Sequence, residues 1–171
     1  MLRPIVLYGA EVLAKPSKPV VHISDAEVQL VKDMVETMYK APGVGLAAPQ
    51  VGVGKRIMVT DPSAGEKRNQ LITIINPEIA VAEGEQFEDE GCLSIPGFSA
   101  NVLRPQKVIL KGLDINGKEI TVEGKDLLAR AFCHELDHLN GVFFLDHLSF
   151  LKRDLIKRKI RKLVKQGEWE P

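Results

Sequence analysis

The sequence predicts an α+β fold in which antiparallel β-sheets pack around one central helix, with a further helix towards each end of the chain. Residues 126–140 should form the central helix, since Asn140-Gly141 is a typical helix stop. Asn116-Gly117 is a strong hairpin signal between two strand-like segments, 107–114 and 119–122. Helical spacing of apolar residues recurs before Pro42 and again after Ser149.

The N-terminal elements follow from turn and capping signals. Several prolines keep the first 20 residues mostly extended or turning. Ser24 and Glu27 then form a capping-box pattern, so a helix should begin there and end before Pro42. The apolar residues with helical spacing in it are Val28, Val31, Val35 and Met38. Residues 43–54 are rich in glycine and small residues and should form a loop.

Short strands and a last helix complete the predicted elements. The strands are predicted at 56–60, 71–76, 79–81, 102–103 and 107–113, with 119–122 closing the hairpin. Residues 61–70 carry Gly65 and several charges, which predicts a surface loop. Ser149 caps the last helix, whose apolar residues are Leu151, Leu155, Ile156, Ile160, Leu163 and Val164.

Composition bounds the class of protein. A chain of 171 residues with 44% hydrophobic and 27% charged residues is ordinary for one globular domain. Lys+Arg and Asp+Glu both number 23, so the net charge favours no polyanionic partner. We see no signal peptide and no membrane-spanning stretch, and the two cysteines suggest free thiols or ligands in a reducing, cytoplasmic setting.

The pattern His-Glu-x-x-His at residues 134–138 predicts a metal site. Residues four apart lie on one face of a helix, so His134 and His138 can hold one metal ion with Glu135 beside it. A catalytic site of the zinc type needs a third protein ligand. Cys133 points about 100° away from its neighbour and is a poor candidate. The residues leave Cys92, His22, His147 and the acidic residues open as candidates.

Three motifs in order resemble the peptide deformylase family: Gly-Val-Gly-Leu-Ala-Ala-Pro-Gln at 43–50, Glu-Gly-Cys-Leu-Ser at 90–94 and His-Glu-Leu-Asp-His at 134–138. The similarity runs over nearly the whole chain and implies a single catalytic domain, residues 1–171. It implies that Cys92, His134 and His138 bind one Fe²⁺ per chain, for which Zn²⁺, Ni²⁺ or Co²⁺ can substitute. The implied reaction is hydrolysis of the N-terminal formyl group of formyl-methionyl nascent peptides, with release of formate.

The resemblance also implies roles for single residues. Glu135 would act as general base and acid, while the Gln50 side chain and the Leu93 N–H would bind the oxyanion. The Gly45 backbone would bind the peptide as an added strand. The full set implied to contact substrate is Val44, Gly45, Gly91, Leu127 and Ala131. Leu127 and Ala131 share a helix face with His134, although ordinary core packing explains them equally well.

Three features leave alternatives. Residues 43–48 match the dinucleotide pattern G-x-G-x-x-A, with Asp61 in place of the ribose-binding acid, but a helix rather than a strand is predicted before them, so we expect no nucleotide cofactor. Cys133, where glutamine is common in the family, is either silent or an oxidation-prone thiol. The basic residues of the last helix form either a solvated face or a ribosome contact.

Two rival functions fit the metal motif. One is another hydrolase with the same motif, such as a peptidase. The other is a structural metal module without catalysis, which would close its coordination shell with four protein ligands.

Overall fold

The computed structural model describes residues 1–171 and has the expected α+β fold. Its helices are α1 (Glu11–Ala14), α2 (Asp25–Lys40), α3 (Leu127–Leu139) and α4 (Phe150–Lys165). Its strands are β1 (Gly45–Ala47), β2 (Ile57–Thr60), β3 (Ile72–Glu83), β4 (Gln86–Cys92), β5 (Ile95–Arg104), β6 (Lys107–Leu113) and β7 (Glu119–Lys125). Two short 3₁₀ helices cover Ala48–Val51 and Phe144–His147. None of the helices combines the length and the apolar character that a membrane span requires.

Five strands form one antiparallel sheet in the order β1-β2-β3-β6-β7, and β4 and β5 form a separate two-stranded sheet. The predicted hairpin is confirmed, because β6 and β7 pair from Leu113↔Glu119 to Lys107↔Lys125 around the Asn116-Gly117 turn. β1 lies at the edge of its sheet. A two-stranded sheet leaves β4 with an open edge as well, and this matters for substrate binding.

α3 is the central helix and is confirmed as such. Its apolar face packs against the five-stranded sheet, where Phe132 and Leu139 are fully buried in one cluster with Met58, Ile74 and Leu110. Burial of apolar surface on this scale is the main source of the stability that holds the helix in place. The Gly124 position shows how closely the layers approach, since a Cβ there would lie 2.7 Å from the Phe132 ring.

The two flanking helices begin where the sequence predicts. The Ser24 side chain accepts a hydrogen bond at the start of α2, and Glu27 completes the capping box. Met34 and Met38 of α2 are fully buried against the other face of the sheet. The Ser149 side chain accepts a hydrogen bond from the Lys152 N–H at the start of α4.

Some predicted bounds are wrong. Residues 43–54 are not only loop, because they contain β1 and the 3₁₀ helix Ala48–Val51. The strands predicted at 71–76 and 79–81 are one strand, β3, which continues through Pro77 by means of a register shift between Ile75 and Glu78. Such a bulge tolerates the missing N–H of proline. The strand β4 was not predicted, and β5 is much longer than 102–103. The surface loop predicted at 61–70 is confirmed.

Candidate metal centre and active-site cleft

α3 places two histidines side by side in the interior. His134 and His138 are each less than a tenth exposed, and their Nε2 atoms lie 3.2 Å apart. α3 ends at Leu139, directly after His138, because Gly141 follows it with φ of 74°, a left-handed conformation that favours glycine. A Cβ at Gly141 would also lie 2.9 Å from the Ala14 carbonyl oxygen.

Cys92, at the end of β4, completes a group of three ligand atoms. Its Sγ lies 3.2 Å from His138 Nε2, and the ligand atoms of Cys92, His134 and His138 all lie within 4.8 Å of one another. Two ligand atoms on one tetrahedral metal of the zinc type lie roughly 3.3–3.6 Å apart. The spacing and the nitrogen-sulfur donor set therefore fit one transition-metal ion, with a coordination position left for water or substrate.

The other candidate third ligands lie elsewhere. The only group of three or more potential ligand side chains is the one that contains Cys92. Cys133 is buried in the apolar cluster beneath α3, and burial raises its pKa to about 11. That packing favours the silent interpretation of Cys133, because its thiolate is strongly disfavoured. His147 bonds to Asp137 rather than to the three ligands.

Glu90 holds the far side of the His134 ring. Its Oε2 lies 2.8 Å from His134 Nδ1, which leaves Nε2 of the same ring free to face Cys92 and His138. Arg104 donates to both Glu90 oxygens, and Arg130 donates to Oε1 at 2.9 Å. Burial alone would raise the pKa of Glu90, but the bonds with His134 and Arg104 outweigh it and hold that pKa well below its usual range.

The electrostatics of the two histidines differ. Burial lowers the pKa of His134, but contacts with Cys92 and Glu90 outweigh burial and raise it well above the usual value. Burial, and then the neighbouring charge of His134, lowers the pKa of His138. Glu90 thus favours positive charge at His134, whereas burial and the charge of His134 disfavour it at His138.

Glu135 is buried beside the ligands with one oxygen unpaired. The residue is only 4% exposed, and its Oε2 atom has no hydrogen-bond partner. Burial raises the pKa of Glu135 to about 7. Gly45 leaves the space for this carboxylate, because a Cβ at Gly45 would lie 2.6 Å from Glu135 Oε1. A buried carboxylate with a free oxygen beside a metal site is suited to moving protons.

Two neutral hydrogen-bond donors, Gln50 Nε2 and the Leu93 N–H, lie next to Cys92. Gln50 Oε1 accepts from the Ala47 N–H at 2.9 Å, which fixes the amide so that its Nε2 points to Ser94 Oγ at 3.2 Å and Cys92 Sγ at 3.7 Å. Leu93 lies in the tight turn between β4 and β5, and its N–H donates to no carbonyl or side chain. Both groups are neutral donors held by rigid neighbours, as an oxyanion site requires.

These groups line one cleft of about 590 Å³. The residues that the sequence predicts to contact substrate all line it: Val44, Gly45, Gly91, Leu127 and Ala131. Cys92, His134 and Glu135 lie on its wall with Gln50 and Leu93, whereas His138 lies behind them and is 1% exposed. The cleft is large enough for a methionine side chain with part of a peptide.

Comparison with known proteins agrees with this geometry. Residues 2–154 match the family model described as polypeptide deformylase. The chain belongs to the polypeptide deformylase family. It is 48% identical over 169 residues to a peptide deformylase of Acidobacterium capsulatum, with 99% of each chain covered, and 51% identical over 154 residues to one of Thermodesulfovibrio yellowstonii, covering 90% of this chain and 93% of that one. A crystal structure of a peptide deformylase from Legionella pneumophila superposes with a TM-score of 0.90 at 43% identity, with both chains fully covered.

The sequence did not indicate a role for three residues of the deformylase site. Glu90 belongs to one of the recognised motifs, and the need of a ligand histidine for a partner on its second nitrogen is the signal that would have found it. Arg130 lies four residues before His134 on the same helix face. Arg104 is far from both in sequence, so only the fold brings it to Glu90.

Proposed function

We propose that Cys92, His134 and His138 bind one metal ion and that Glu135, Gln50 and Leu93 hydrolyse the formyl amide in the adjoining cleft. The protein is a hydrolase that removes the formyl group from the N-terminal methionine of newly made polypeptides. The observation that carries the residue assignment is the convergence of three ligand atoms within 4.8 Å of one another beside the unpaired Glu135 oxygen.

A metal ion held by Cys92, His134 and His138 would supply electrophilic chemistry, because it would lower the pKa of water to near neutral and polarise a carbonyl oxygen. The family is metal-dependent, and one sulfur with two imidazoles suits several divalent ions. We propose Fe²⁺, one per chain, with Zn²⁺, Ni²⁺ or Co²⁺ able to substitute. Raw affinity would favour most of those over iron, so this assignment rests on family resemblance.

The chain's own residues account for the proton transfers. Glu135 lines the cleft, and its buried Oε2 has no hydrogen-bond partner, so the carboxylate can take a proton from the attacking water. The same carboxyl then delivers a proton to the amine that leaves. Its buried position excludes bulk water as a competing proton donor.

Gln50 and Leu93 face the developing oxyanion. The Gln50 Nε2–H₂ is oriented by Ala47, and the Leu93 N–H is fixed by the turn that follows Cys92. Each such donor contributes about 3–4 kcal/mol to transition-state stabilisation in a comparable hydrolase. Both are neutral, so they do not compete for the proton that Glu135 carries.

The peptide fits between two open strand edges. β1, which contains Gly45, and β4, which contains Gly91, both present unpaired edges and both line the cleft. An extended peptide can therefore pair as an added strand between them. Val44, Leu127 and Ala131 then surround the methionine side chain, and Gly45 admits the reacting carbonyl close to Glu135.

A formate-release assay tests this function against the rivals. The parent should release formate from a formyl-Met tripeptide and leave its peptide bonds intact, and it should not cleave the same tripeptide without the formyl group. Glu135→Gln should retain the metal and lose turnover. Peptide-bond cleavage would favour a peptidase, and unchanged activity in Glu135→Gln would favour a structural metal module.

We also propose that α4 contacts the ribosome. Its basic residues are Lys152, Arg153, Lys157, Arg158, Lys159, Arg161, Lys162 and Lys165, and most of them are exposed. Only Arg158 among them pairs with an acid, Asp154 at 2.9 Å. The proposal suits a substrate that emerges from the ribosome, and the charge would make binding salt-dependent.

Charge reversal tests that contact. Lys159→Glu with Lys162→Glu should reduce co-sedimentation with ribosomes at low salt. Lys32→Glu with Lys118→Glu is the matched control, because it makes the same change in net charge at exposed residues outside α4. An equal loss in both variants would show that net charge alone causes the effect and would rule out a specific α4 contact.

From the resemblance alone we further propose that residues 1–171 form one catalytic domain and work in the cytoplasm.

A further inference from the structure

A series of buried ion pairs begins and ends on α3. It starts at Asp137, whose Oδ2 accepts from Arg104 Nη1 at 2.6 Å. Arg104 on β5 donates through Nη2 to Glu90 Oε2 at 2.6 Å and through Nε to Glu90 Oε1 at 3.1 Å. Glu90 on β4 contacts His134 Nδ1, one turn of α3 away from Asp137. The path thus connects β4 and β5 to α3 beside the metal centre.

Asp137 itself makes no contact with the three ligand atoms. Its side chain is 21% exposed, and its other partner is His147 Nε2 at 2.7 Å. Arg104, in contrast, is 4% exposed and donates to both carboxylates, Asp137 and Glu90, while His147 Nε2 lies 3.3 Å from its Nη1. Losing Asp137 would leave one Nη of a buried guanidinium without its charged partner, which is unfavourable unless Arg104 moves.

We propose that Asp137 is a positioning residue for the metal centre, acting through Arg104 and Glu90. The guanidinium is a rigid planar fork, so the Asp137 contact on one side fixes the direction of the two bonds to Glu90 on the other. Glu90 in turn fixes the ring orientation and tautomer of His134. This inference rests on the proposed metal site.

The same path also sets the sulfur ligand. Cys92 follows Glu90 by two residues on β4, while His134 and His138 lie on α3. The Asp137–Arg104–Glu90 path therefore holds β4 against α3 and keeps Cys92 Sγ at 3.2 Å from His138 Nε2. A site whose ligands come from two separate elements needs such a tie to stay preorganised when metal enters or leaves.

Metal release from Ni²⁺-loaded protein tests the proposal. Substitution of a group that touches a metal ligand typically weakens metal binding about 10–100-fold. Asp137 acts at one remove, so Asp137→Asn should weaken Ni²⁺ binding roughly 3–10-fold in competition with a chelator. The visible absorption bands of the Co²⁺-loaded variant should also shift, because the ligand geometry relaxes.

Asp33→Asn is the matched control. Asp33 on α2 is a buried carboxylate that pairs with Arg3 Nε at 2.9 Å and touches no part of the metal centre. It should lower the free energy of unfolding and leave Ni²⁺ affinity unchanged. Arg104→Lys, which keeps the charge and loses the fork, should weaken Ni²⁺ binding at least as much as Asp137→Asn.

Equal Ni²⁺ affinity and equal Co²⁺ spectra in the parent and Asp137→Asn would overturn the proposal, whatever the change in stability. Equal weakening in Asp33→Asn would also overturn it. These readouts do not use turnover. If the parent binds Ni²⁺ but releases no formate, the proposed function fails instead.

Discussion

α3 and α4 are both amphipathic helices with several charged side chains, yet they use those charges in opposite ways. Ten of the 13 residues of α3 are buried, and they include Arg130, His134, Glu135 and His138. α4 has 16 residues, of which only Ile160 is buried, and its charges face outward. Burial of unpaired charge is strongly unfavourable. Arg130 and His134 are met by Glu90 of β4, whereas burial raises the pKa of the unpartnered Glu135 to about 7.

The difference between the two helices shows which of them can hold catalytic groups. The α3 charges sit among fixed neighbours, so their orientation is preorganised and their electrostatic effects are strong. The α4 charges are hydrated and mobile, so they can steer or dock a partner but cannot position a reacting group. Substitutions of buried residues on α3 should therefore change chemistry or fold, and those of exposed residues on α4 should change neither.

The largest expected effect is on turnover. Glu135→Gln keeps the size of the side chain but removes the proton acceptor, so kcat should fall by about 10²–10⁴-fold. Metal content, measured by elemental analysis, should match the parent because Glu135 is not a ligand. Retention of more than a tenth of the parent's kcat would contradict the role given to this carboxylate.

The next largest effect concerns stability. Phe132→Ala on α3 removes a fully buried ring and should lower the free energy of unfolding by about 3–5 kcal/mol. Leu155→Ala on α4 removes a side chain that is 54% exposed and should change it by no more than about 0.5 kcal/mol. Urea unfolding of the two variants measures the contrast directly. Similar losses in both would mean that α4 is a packed element like α3.

A smaller effect is expected at the strand that faces α3. Gly45→Ala would place a Cβ 2.6 Å from Glu135 Oε1, so the carboxylate or β1 must shift. A displacement of this size typically reduces rate about 10–100-fold when it disturbs catalytic geometry. Formate-release kinetics should show the loss with metal content unchanged. Gly97→Ala, where a Cβ would meet no atom within 4 Å but φ is 84°, tests whether backbone strain on the cleft wall has the same result.

The smallest effect extends the comparison to α2, whose buried carboxylates Glu27 and Asp33 each pair with a basic side chain from outside the helix. Hydrogen bonds from Lys55 and then Ser24 lower the pKa of Glu27 to about 2, below its usual value. The ionised form is therefore favoured in the folded state, and its contribution is complete above about pH 4.5 and is lost as the pH falls towards 2. The difference in unfolding free energy between parent and Glu27→Gln should shrink over that range. A difference that stays constant would show that Glu27 is not pH-linked.

The sequence predicts elements whose signals are local. The Ser24 cap, the Asn116-Gly117 turn and the Asn140-Gly141 stop each act within a few residues, and the structure confirms all three. The strands predicted at 71–76 and 79–81 stop on either side of Pro77, whereas pairing with β2 and β6 carries β3 across it.

Non-local pairing explains what the sequence leaves out. The buried Glu90 of β4 is tolerated only beside Arg104 and Arg130, which come from β5 and α3, so its place is not visible in the local sequence. The ligand pair His134 and His138 follows from helix geometry, but the residues alone left the third ligand open. The fold places Cys92 beside that pair, and its role as a ligand stays a prediction until metal is bound.

X-ray absorption at the metal edge of the Zn²⁺-loaded protein tests the central claim most directly. We expect one sulfur neighbour at about 2.3 Å with nitrogen or oxygen neighbours at about 2.0–2.2 Å. Cys92→Ser should remove the sulfur signal and weaken metal retention, while Cys133→Ser should leave the spectrum unchanged. A parent spectrum without sulfur, or one that survives Cys92→Ser, would contradict a metal centre formed by Cys92, His134 and His138.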